Sequence, residues 1–191
     1  TQYVLARLYD ALAESVYYGV SVPESEPVYA RLVEITSSYL ASHPDDMLGQ
    51  RLAIEAHWGL GATLLGLNRP KDGLREMQAA AALMPTLLQY QPEDTGAQRT
   101  QRIVHSALAQ ALAMSGRFDE GVALLREELA KSEELVRQTS SRPEQVRSYG
   151  VTLAMLADLY ADNNIAKEAC PIYAKAEQVW IELDKRGVLT Q

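Results

Sequence analysis

A four-fold internal recurrence constrains this chain more than any other feature of its sequence. Leu12-Ala13, Leu60-Gly61, Leu108-Ala109 and Leu156-Ala157 follow one another at intervals of 48 residues. One helical turn later Val16, Leu64, Leu112 and Tyr160 keep the same interval. Small residues come next at Ser25, Gly73, Gly121 and Ala169, then large apolar ones at Tyr29, Met77, Leu125 and Tyr173. The near copies PVYARL, from Pro27, and PIYAKA, from Pro171, are the first and fourth members of that series, three periods or 144 residues apart. Recurrence over nearly all of 191 residues marks stacked units that bury their apolar faces on one another. The units run approximately 1–44, 45–92, 93–140 and 141–188 and are expected to form a single repeat domain.

Each unit reads as two helices. In the third, Ile103, Ala107, Leu108, Ala111 and Leu112 recur at helical spacing, SGRFDEG interrupts them, and Val122, Leu124, Leu125 and Leu129 resume. GLNRPKDG and ADNNIAKE interrupt the second and fourth units in the same place. Between units lie SHPDD, YQPED and SSRPEQ, where a proline followed by acids signals a helix start. Ser141 with Glu144 is a predicted capping box. The first unit departs from the rest: GVSVPESEP predicts a longer loop, and Pro27 is expected to shorten or bend the second helix, as is Pro171 in the fourth unit. No strand-like alternation appears, so the chain is predicted all-α, with eight helices in four hairpins.

Small residues at Ala13, Gly61, Ala109 and Ala157, and again at Ser25, Gly73, Gly121 and Ala169, let the helices of a hairpin approach closely. With these residues the chain resembles the tetratricopeptide repeat (TPR) family. LAQALAMSGRFDEGVALLREEL, from Leu108, carries the pattern most fully, and LADLYADNNIAKEACPIYAKA, from Leu156, follows it with Asn164 in place of the turn glycine. LGATLLGLNRPKDGLREMQAAAALMP, from Leu60, also ends on the proline that usually closes a unit, here Pro85. The usual early tryptophan is replaced by Tyr9, His57, His105 and Leu153. The family period is 34 residues; the 14 additional residues here amount to roughly four helical turns, shared between two helices. The resemblance implies a right-handed α-solenoid. In texture, and in the closing phrase VWIELDKRGVL, the chain is also similar to long-helix TPR arrays attached to kinases or regulators in bacterial signalling proteins.

No motif for catalysis, nucleotide binding or metal binding is present, so neither enzymatic activity nor a cofactor is expected. His57 and His105, one period apart, read as packing residues in the aromatic slot before they read as a metal pair. Cys170 reads as a small buried apolar residue, and as the only cysteine it fits a reducing, cytoplasmic location. A net charge of −7 argues against nucleic acid as partner. No apolar run approaches the ~20 residues that span a membrane, and no signal peptide is read at the start. The chain opens at Thr1 without a methionine, and reads as a processed chain or an excised piece. Arg51, Arg99 and Arg147 form a further 48-residue ladder, expected to pair with acids of the preceding second helix or to engage an acidic partner or phosphate.

The resemblance implies a concave groove lined by the first helices, with a protein or peptide as partner. Its positions are Asp10, Glu14 and Tyr17; Trp58, Ala62 and Leu65; Ser106, Gln110 and Ala113; and Ala154, Asp158 and Ala161. None is Lys or Asn, which disfavours a carboxylate-clamping role and points to an apolar or basic segment anchored by Trp58. The alternative is an oligomerisation or sensory-regulatory module of a larger signalling protein. It would act through a terminal surface around Val179, Trp180 and Leu183, with a homodimer as the partnership.

Overall fold

The computed structural model describes residues 2–90, 94–139 and 142–188. Those residues form eight α-helices and no strand: α1 (Gln2–Gly19), α2 (Val22–Ser42), α3 (Met47–Gly66), α4 (Pro70–Tyr90), α5 (Thr95–Met114), α6 (Phe118–Gln138), α7 (Pro143–Asp162) and α8 (Ala166–Lys185). The predicted all-α architecture is the one adopted. None of these helices is long and apolar enough to cross a membrane.

The period survives in the helix ends. Asp46 and Asp94, one repeat apart, are the N-caps of α3 and α5, and their carboxylates accept from the N–H groups of Leu48 and of Gly96 and Ala97. These donors have no partner inside the helix, which is why Asp is favoured there. The next member of the series is Arg142, which makes no side-chain cap; Pro143 in the first turn of α7 stands in for it. Ser141, half of the predicted capping box, lies outside the described residues.

The hairpin turns repeat as well. Asn68, Gly116 and Asn164, again one period apart, all have positive φ, at 58°, 80° and 62°. At Asn68 the N–H groups of Asn68 and Arg69 donate to the carbonyls of Leu65 and Leu64, and at Asn164 the same pair of bonds recurs. That is the Schellman closure, which needs a residue tolerant of the left-handed region. In the first unit the position is Val20, whose β-branch disfavours that conformation. There the N–H groups of Val20 and Ser21 both donate to the Val16 carbonyl, and Ser21, fully extended at φ −164°, caps α2.

Two expectations about proline are corrected. GVSVPESEP is no long loop: only Val20 and Ser21 separate α1 from α2, because Ser21 caps α2 and Pro23 suits its first turn. Pro85 does not close its unit either, since α4 runs on to Tyr90. Pro27 and Pro171 both sit at the sixth residue of their helices, in shared register and without ending them.

The chain forms two compact units, Thr1–Ser115 and Gly116–Gln191. In the first, each of α1 to α5 packs on its neighbour in sequence, and α3 also touches α1 and α5. In the second, α6 packs on α7 and α7 on α8. The predicted small positions are buried in each: Cβ atoms added at Gly61 and Gly73 would stand 2.9 and 2.8 Å from Met77 and Leu65. The seam between α2 and α3 is tighter still, for a Cβ on Gly59 would collide with the Tyr29 ring.

Candidate functional site

α1, α3 and α5, the first helices of three successive repeats, are held side by side in the first unit by α2 and α4. Asp10 and Glu14 lie one turn apart on α1, and Glu55 and Trp58 one turn apart on α3. Thr100, Ile103 and Val104 face them from α5, and the Tyr29 ring enters from α2. Together with Ile54 these residues enclose a cavity of about 190 Å³. Its floor is apolar, its walls carry two aromatic rings, and one edge carries three carboxylates.

That chemistry is costly when empty. Burial first, then the Coulombic field of Glu14, raises the Asp10 carboxyl above the usual carboxylate range, and Arg7, 3.4 Å away, opposes the shift only in part. Glu55 lines the cavity while reaching solvent at its edge; partial burial and then Asp10 raise it too, with Glu14 adding to the effect and Arg7 and Arg51 opposing it. Burial, followed by Glu14 and Asp10, also pushes the Tyr29 hydroxyl up, so it stays a protonated donor. Three acids crowd a site of low polarity without enough cation among the neighbours that oppose them.

Of the positions expected to line the groove, Asp10, Glu14 and Trp58 are brought together in this cavity. Tyr17 packs edge-on against Tyr29 behind it, at a centroid distance of 6.4 Å. Ala62 and Leu65 pack against the buried cluster of Leu74, Met77, Ala111 and Leu112. Ser106 and Ala113 are half-buried and Gln110 exposed, all three away from the cavity. On α7, in the other unit, Ala154 lines a separate trough, Asp158 accepts a hydrogen bond from the Tyr173 hydroxyl, and Ala161 is exposed. Sequence reasoning missed Glu55, whose signal was its place one turn before Trp58, and read Tyr29 as packing alone.

Other expectations are corrected. Cys170 is exposed, not buried. Of the expected terminal trio, Leu183 is fully buried and Val179 half-buried against Gly150, while Trp180, also half-buried there, is the member that lines an open trough. Arg51 pairs with Asp94, the cap of the following first helix. Arg147 donates to the Val188 carbonyl at 2.6 Å, and Arg99 is exposed. His57 is half-buried, with Nδ1 2.8 Å from a Glu76 oxygen on α4. His105 is half-buried on α5, and among the described residues no group of acids, histidines or cysteine is placed to hold a metal ion. Comparison with family models and with curated protein sequences finds no match to the chain.

Proposed function

We propose that the chain is a non-catalytic, TPR-like interaction module whose first unit binds a protein segment by taking one lysine or arginine side chain into the cavity. The observation that carries the reading is the meeting of Asp10, Glu14 and Glu55 with Tyr29 and Trp58 around about 190 Å³. Pockets for drug-sized ligands run to roughly 300–1,000 Å³, so this one suits a single long side chain better than a helix. An aliphatic stem fits the floor of Ile54, Ile103 and Val104, while the cationic head meets the carboxylates and the faces of the rings. A cation there also relieves the like-charge crowding that adds to burial in raising Asp10 and Glu55.

The test is calorimetric titration with short peptides carrying Lys, Arg or norleucine at one central position. The Lys and Arg peptides are expected to bind and the norleucine peptide to bind at least tenfold more weakly. Glu55→Gln removes a charge-assisted contact worth ~1.5–3 kcal/mol, and should weaken binding tenfold or more; Trp58→Ala should do the same. Lowering the pH through the raised range of Asp10 and Glu55 should weaken binding earlier than ordinary carboxylates would. The empty protein has the opposite sign: groups raised in the folded state bind protons more readily there, so they add stability as the pH falls through that range. Equal binding of the norleucine peptide would sink the proposal.

A further inference from the structure

The two ends of the chain carry faces that match each other, and the match is already built once inside the first unit. At the seam between α2 and α3, Tyr29 covers Gly59, and Ser25 and Thr63 hydroxyls stand 3.1 Å apart. Cβ atoms added at Gly49 and Gly66 would stand 2.8 Å from Tyr39 and 3.3 Å from Val22. Leu52, Ala56 and Leu60 complete this row on α3, sharing one buried cluster with Tyr29, Leu32 and Ile35.

One period earlier the same row on α1 reads Val4, Leu8, Ala11, Leu12, Ser15 and Tyr18, and all six are exposed. Leu8 is 64% exposed and Val4 61%, where their counterparts Ala56 and Leu52 are 0% and 2%. Three periods after the α2 ridge, α8 carries Tyr173 in the place of Tyr29 and Trp180 in the place of Thr36. With Ala154, Glu177 and Asp184 they line an open trough of about 990 Å³ that no described residue fills. One end thus presents a row without a ridge, the other a ridge without a row.

Charge fits the same pairing. Within the first unit Glu55 stands among Asp10 and Glu14, like facing like. Carried to the ends, the place of Glu55 is taken by Arg7, that of Glu14 by Asp158 and that of Asp10 by Ala154, so the pairing would set opposite charges against each other. We propose that this chain associates head to tail, with α1 of one copy seated in the α7–α8 trough of the next. Such a contact joins two different surfaces, so each copy retains one free end until a ring closes or an end is blocked. It does not rest on the peptide-binding reading, because neither Leu8 nor Tyr173 lines the cavity.

The experiment is sedimentation velocity over a range of concentrations on the wild type, on Leu8→Glu, on Tyr173→Lys and on their equimolar mixture. Both positions are exposed, and circular dichroism checks that helicity is kept. The wild type should exceed the 21.1 kDa of one chain and each variant alone should stay at it. The mixture should form a 1:1 complex and nothing larger, since each variant keeps the end the other has lost. A wild type that stays monomeric, a single variant that still self-associates, or a mixture that stays monomeric would each overturn the proposal.

Discussion

Gly19 and Gly116 look interchangeable by their surroundings, since a Cβ added to either meets nothing within 4 Å. Their backbones separate them. Gly116 has φ +80°, whereas Gly19 ends α1 with no positive φ. Gly116→Ala is therefore expected to destabilise by about 1–2 kcal/mol, and Gly19→Ala to stabilise by about 0.5 kcal/mol; urea unfolding of the two variants checks the opposite signs. Residue-scale features of this kind were half legible. Gly116 sits in an obvious turn signal, and Asn164 was read as its substitute. The series of Arg7, Glu55, Ile103 and Val151 was not read at all, because its members differ in charge and size. A site made by departing from the repeat is invisible to a search for the repeat.

Helices were the easiest elements to read, since apolar spacing within one helix is a local property. Contacts between helices depended on which turns meet across about one period, and this was less accessible. Ser25 and Gly73 were recognised as small for close approach, yet Gly59 was not, although its contact with Tyr29 is the tightest at the α2–α3 seam. Gly59→Ala must displace an aromatic ring held at 4% exposure, and such overpacking costs typically 1–3 kcal/mol. A thermal melt should show that loss.

At the scale of the molecule, burial is uneven. Eleven of the twenty residues of α3 are buried against two of the eighteen in α1, so protection should be graded along the first unit. In the Tyr173→Lys variant, which keeps α1 intact but has no trough to receive it, native-state amide exchange is expected to be slowest in α3 and to open first in α1; equal protection of the two helices there would contradict the grading. The number of helices and their class were fixed by a period visible four times over. The cavity was only partly foreseen, with Asp10, Glu14 and Trp58 on its wall, because its remaining residues are Tyr29 on α2, a second helix of its repeat, and residues of α3 and α5 that lie before the groove positions on those helices.

The Tyr29 ring belongs to two places at once. One face locks α2 onto α3 over Gly59, and the same residue forms a wall of the acidic cavity. Whatever occupies the cavity leans on the part that holds two repeats together, so recognition and mechanical stiffness share a component. A guest in this protein works as a wedge behind a door: it does not make the hinge, but it sets how freely the hinge can swing.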